Sequence, residues 1–87
     1  MVEINTIGNL ESICKQYIDK EFELEEFQSR LETLIISGEK KVEIEKARLD
    51  VVNRLEEIRF CSLETDFYRY GVVVATSLIE VVKQISL

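Results

Sequence analysis

The chain contains no proline, and its 87 residues include only three glycines, Gly8, Gly38 and Gly71. These are the residue types that break helices and reverse chains. A sequence so poor in them has few places to turn, so it must be built from a few long elements. The spacing of apolar side chains says which kind, because steps of three and four place them on one face of a helix. Ile7, Leu10, Ile13, Cys14, Tyr17 and Ile18 follow those steps. They predict a helix over about 6–20, capped by Asn5 or Thr6. Leu24, Phe27, Leu31, Leu34 and Ile35 predict a second over about 23–36, ended by Ser37-Gly38, with Gly38 suited to the left-handed C′ position. Ile44, Ala47, Val51, Leu55 and Ile58 predict a third over about 39–60, its stripe widened by Val42, Leu49 and Val52. Phe67, Tyr70, Val74, Leu78, Val81 and Ile85 predict a fourth over about 65–85, with Ser62 or Thr65 as cap.

Gly71 and the β-branched run Val72-Val73-Val74 favour a strand over 70–76 instead, since glycine costs about 1 kcal/mol inside a helix. A lone strand has no sheet to join, so helix is expected. Four apolar stripes with short connections predict an all-α fold, an antiparallel four-helix bundle forming a single helical domain over 1–87. The competing arrangement is three helices packed on a looser C-terminal segment.

Composition excludes several functions. The net charge is −6, whereas binding phosphate backbones requires Lys and Arg to displace counterions. No nucleic-acid partner is expected. The start, M-V-E-I-N-T-I-G, lacks a basic segment and a long apolar core, so it does not read as a signal peptide. The longest uncharged run, Tyr70 to Ile79, is about half of a membrane span. A cytoplasmic protein with no membrane partner is expected, with Cys14 and Cys61 as free thiols. Histidine is absent, which removes the usual general base and the commonest metal ligand. The cysteines lie too far apart in sequence for a C-x-x-C site, no glycine-rich loop could cradle a phosphate, and no serine has an activating partner. The acidic stretch does not have the spacing of a calcium loop. No enzyme, no metal site and no cofactor are expected.

Charge is distributed unevenly. Met1–Ile36 holds eight acids and three bases, net −5; Ser37–Cys61 holds six of each, net 0; Ser62–Leu87 is net −1. The excess centres on D-K-E-F-E-L-E-E-F, Asp19 to Phe27, with five carboxylates in nine residues. Local structure accounts for part of it. With Glu23 as N-cap, Phe22 and Phe27 take the N′ and N4 positions of a hydrophobic staple. Glu25 and Glu26 then oppose the positive end of the helix macrodipole. Asp19, Glu21 and Glu23 lie before the helix, repel one another and contribute nothing to its start. Asp19, Glu21, Glu23, Glu25 and Glu26 are therefore candidates for meeting a basic surface on a partner. Tyr68 and Arg69, in T-D-F-Y-R-Y-G, are of the types enriched at interface hot spots and are candidate anchors on a second patch. On the third helix, Asp50 and Arg54 have the spacing of an i,i+4 ion pair.

The stretch Y-I-D-K-E-F-E-L-E-E-F-Q-S-R-L runs from an apolar helix through a short polar turn into an acidic helix start. With the small size and acidity of the chain, it resembles the small acidic bacterial immunity proteins of the contact-dependent growth inhibition and colicin-D-immunity-like kind. That resemblance implies a non-enzymatic toxin inhibitor. It would bind a cognate toxin with a basic surface, most often a nuclease domain, through acids that occupy the place of nucleic acid. The reading from another class is a small helical homodimer, or an adaptor or regulatory module that docks on another helix.

Overall fold

The computed structural model describes residues 6–36 and 40–85. It forms α1 (Thr6–Ile18), α2 (Leu24–Thr33), α3 (Lys41–Cys61) and α4 (Phe67–Ile85), with a single 3-10 turn, Glu64–Asp66, leading into α4. The helices make an antiparallel four-helix bundle, and 86% of the described residues are helical. α4 packs on α1 and α3, and α2 packs on α3 and α1, which closes the ring. One core runs through all four helices: Leu10, Cys14 and Tyr17; Leu24, Phe27 and Leu31; Ile44, Val51 and Leu55; Val74, Ala75, Leu78 and Val82. No described helix is long and apolar enough to cross a membrane.

Residues 70–76 are helical within α4, so neither the strand nor a looser C-terminal segment occurs. Gly71 is there for volume. It is buried, and a Cβ built on it would lie 2.7 Å from Tyr17 Cζ and 2.9 Å from Leu24 Cδ1. The aromatic ring of α1 and the start of α2 occupy the space that a side chain would need. This close approach also turns α4. Its buried face is Gly71, Val74, Ala75, Leu78 and Val82, while Tyr70 and Val81, expected in the core, are exposed.

Three boundaries differ from expectation. α2 stops at Thr33, short of 36, because Leu34 is extended (ψ 131°). The Thr33 hydroxyl donates to the Ser29 carbonyl (3.0 Å), and Arg48 Nη1 of α3 donates to the Leu34 carbonyl (2.6 Å), which gives a carbonyl at the helix end its partner. The extended backbone then exposes Ile35 and buries Ile36, the reverse of a helical stripe. α1 ends at Ile18, short of 20, for a reason given below. α4 begins at Phe67 rather than 65. Ser62 is instead the C-cap of α3, and no side chain caps the 3-10 turn. Asn5 and Gly38, expected as cap and C′ residue, lie outside the described residues.

On α3, Val42 and Leu49 do not widen the buried stripe; they are 75% and 60% exposed, as Phe60 is at 76%. The expected Asp50–Arg54 ion pair is absent among the described residues, where Glu26–Arg30 and Asp66–Arg69 are the pairs formed. Both cysteines are free, with Cys14 buried and Cys61 exposed. Burial, with Glu11 nearby, pushes the Cys14 thiol up to about 12. It stays protonated and inert, a small core side chain.

Candidate functional site

The α1–α2 connection is built by backbone geometry. Asp19 N–H still donates to the Lys15 carbonyl, then Lys20 N–H donates to Tyr17 O (2.9 Å) and Glu21 N–H to Gln16 O (3.0 Å). These last two are the paired bonds of a Schellman motif, with Lys20 at C′ and Glu21 at C″. Lys20 has φ 65°, the left-handed region that normally calls for glycine. This motif is what ends α1 before residue 20. It also projects Asp19, Glu21 and Glu23 from a tight reversal into solvent.

The staple forms. Glu23 is the N-cap in extended conformation, its carbonyl accepts from Phe27 N–H (2.9 Å), and the Phe22 and Phe27 ring centroids lie 6.5 Å apart. The tighter ring contact is one the sequence did not suggest. Tyr17 stacks on Phe27 at 4.4 Å with an interplanar angle of 12°, and also touches Phe22 and Tyr68. Tyr17 is buried and its hydroxyl donates to the Phe67 carbonyl (3.3 Å). Burial, with Tyr68 beside it, pushes the phenol up to about 12, so it remains a donor throughout the neutral range.

Tyr68 is where the two patches become one. Its ring lies 5.8 Å from Tyr17, and its hydroxyl donates to the Ile18 carbonyl at the end of α1. α4 thus begins against the acidic turn. Between them lies a groove of about 640 Å³, with Tyr17, Phe22, Leu24, Phe67 and Tyr68 as its apolar walls. Its polar rim is Glu21 and Glu23 on one side and Glu64 and Thr65 on the other, with Lys20 also lining it. Arg69 takes no part in this groove. It is turned to Asp66 (3.3 Å) and to the hydroxyl and ring face of Tyr70. A second depression, of about 540 Å³, continues along the outer side of Glu21, Phe22, Glu23, Glu25 and Glu26.

Two bases of this end, Arg30 and Lys20, are occupied. Arg30 grips Glu26 (2.7 Å) and stacks over Phe22 at 4.5 Å; Lys20 Nζ lies over the Tyr68 ring at 4.8 Å. Glu26 is therefore neutralised internally. Asp19, Glu21, Glu23 and Glu25 are exposed and make no ion pair among the described residues. The described acids do not converge: no three of them are placed to hold a metal ion.

No protein-family model, curated protein or solved structure matches this chain. What it binds has to be read from the arrangement itself. Three carboxylates without an ion pair among the described residues, Glu21, Glu23 and Glu64, rim an aromatic-walled groove. Asp19 and Glu25 stand exposed on the same turn and helix start, and Lys20 and Arg30 are held on rings or in an ion pair. Such a surface attracts positive charge without saturating it locally. Sequence reasoning located the acids, the staple and Tyr68, but not Glu64, Lys20 or the hub role of Tyr17. Glu64 comes from a distant turn, and no periodicity or charge count in the sequence brings it to Glu21 and Glu23.

Proposed function

We propose that this chain is a binding inhibitor of the bacterial immunity type, which neutralises a toxin carrying a basic surface, most readily a nuclease domain. The observation that carries the reading is the set Asp19, Glu21, Glu23 and Glu25, left unpaired while Lys20 and Arg30 are held on Tyr68, Phe22 and Glu26. A nuclease cleft is basic because it must displace counterions from phosphates. A carboxylate patch offers it the same charge pattern on a rigid support. The field of the patch steers the encounter, and the carboxylates that end up desolvated slow dissociation. The helical resemblance over Tyr17–Leu31 agrees with this role. The chain would work in the cytoplasm of the producing cell, without cofactor or catalysis.

The test is binding to a catalytically inactivated nuclease domain encoded beside this chain's gene, at low and high salt. Reversing Glu21, Glu23 and Glu25 to Lys, with the Glu26–Arg30 pair left intact, should slow association and flatten its salt dependence. Equal rates and equal salt dependence for native and reversed proteins would remove the acidic turn from the interface and sink the reading.

A second reading has its own observation. Val42, Leu49 and Phe60 are exposed, and their spacings of seven and eleven residues amount to about two and three helical turns. They form a line on the outer face of α3, opposite its buried stripe. A homodimer or a helix-docking adaptor would use this line. Sedimentation of the native chain and of Leu49→Lys with Phe60→Lys distinguishes the two: a dimer lost on substitution favours the second reading.

A further inference from the structure

The groove between the acidic turn and α4 has the composition of a cation receptor, and it already holds a cation. Lys20 Nζ lies over Tyr68 at 4.8 Å, and Lys20 itself lines the groove. It reaches that ring from a left-handed backbone position that a lysine adopts at a cost. The rim carries three carboxylates, Glu21, Glu23 and Glu64, against this one ammonium, so the lining stays net negative with Lys20 in place. Low-dielectric walls concentrate that field inside the cleft. We propose that the groove receives an arginine side chain of the basic partner, and that Lys20 holds its place on Tyr68 in the unbound chain. This rests on the binding function proposed above and adds to it the side chain that docks and the residue it displaces.

Arginine is favoured over lysine by shape. A guanidinium is planar, so it can lie flat on Tyr68 while its fork of donors reaches carboxylates on both banks. It is also less strongly hydrated than an ammonium, which lowers the cost of entering an apolar-walled cleft. Lys20 is exposed and bound by no ion pair among the described residues, so it is free to swing out. Until a stronger cation arrives, its ammonium keeps the Tyr68 ring face.

The test needs no toxin. The full chain is titrated with a blocked glycine peptide carrying two arginines, and with matched lysine and citrulline peptides, while the ring protons are followed by NMR. The arginine peptide should shift Tyr68 and Phe22, the lysine peptide less, and the neutral citrulline peptide should leave them unmoved. Tyr68→Leu, which removes the ring, should bind about two- to fivefold more weakly; Tyr68→Phe, which keeps the ring but loses the bond to the Ile18 carbonyl, should lose less than the leucine variant. Lys20→Gln should tighten binding by more than Lys15→Gln, which removes the same charge from a lysine that stacks on no ring. Equal shifts from citrulline or lysine peptides, or equal gains from the two glutamine variants, would overturn the proposal. If the peptide results hold while charge reversal leaves nuclease binding unchanged, the groove stands and the immunity reading falls. If charge reversal weakens nuclease binding and the peptides do not dock, the immunity reading stands without the groove.

Discussion

The α1–α2 end and α3 use the same kinds of residue in opposite ways. At the α1–α2 end, the aromatics are packed against one another beneath the turn, and the surface charge is predominantly negative. Along α3, charge is balanced, and apolar side chains stand on both the core face and the solvent face. The difference shows that hydrophobicity alone does not locate structure here. Phe27 is fully buried, whereas Phe60 is mostly exposed. What separates them is whether a neighbouring ring is there to receive the side chain. Tyr17 stacks on Phe27, while the outer face of α3 has no facing helix.

The largest contrast should therefore be between those two phenylalanines. Phe27→Ala removes a ring packed among Tyr17 and Phe22, and should cost about 3–5 kcal/mol. Phe60→Ala should stay within about 0.5 kcal/mol, as surface substitutions do. Chemical denaturation of both variants measures this. Equal losses would mean that Phe60 is covered in solution, which would strengthen the α3 interface over the acidic one.

Gly71 sharpens the comparison from within the aromatic end. By helix propensity alone, Gly71→Ala should stabilise α4 by about 1 kcal/mol. The new methyl would instead press on the Tyr17 ring and Leu24, and overpacking of this kind costs about 1–3 kcal/mol. The net effect should be destabilising, by about 1 kcal/mol. Adding Tyr17→Phe removes the hydroxyl nearest the methyl and should recover part of the loss. A Gly71→Ala variant that melts higher than the native chain would show that α1 and α4 are farther apart than described.

Most of the fold was legible because helix-period stripes and scarce turn residues pointed to the same answer. The staple was legible too, since Phe22 and Phe27 straddle a recognisable helix start. Three features were hidden for distinct reasons. Ile35 fell in a helical stripe by count, but the bond from Arg48 to the Leu34 carbonyl, fourteen residues apart in sequence, accompanies the extended backbone that follows α2. Gly71 read as a weakness in a helix, because its value lies in the ring that packs over it. Arg69 and Tyr68 are adjacent and were read together, yet a helix turns about 100° between neighbours. Tyr68 meets the acidic turn, and Arg69 faces Asp66 and Tyr70.

Lys20 offers the smallest effect and the finest test of the turn. Two of the described positions should prefer glycine to alanine, for unrelated reasons. At 71 the reason is volume; at 20 it is torsion, since φ is 65°. Lys20→Ala keeps the left-handed strain and loses the contact with Tyr68, so it should destabilise by about 0.5–1 kcal/mol. Lys20→Gly loses the same contact but relieves a strain of about 1–2 kcal/mol. It also gives up about 0.5–1 kcal/mol through its more flexible unfolded chain. Those terms nearly cancel, so the glycine variant should match the native chain and exceed the alanine variant by about 0.5–1 kcal/mol. Paired thermal melts resolve such a gap in a domain of this size, where 1 kcal/mol moves Tm by about 4–8 °C. Alanine and glycine variants of equal stability would mean that Lys20 does not hold the left-handed conformation in solution. The reversal that lifts Glu21 and Glu23 toward the groove would then have to be drawn differently.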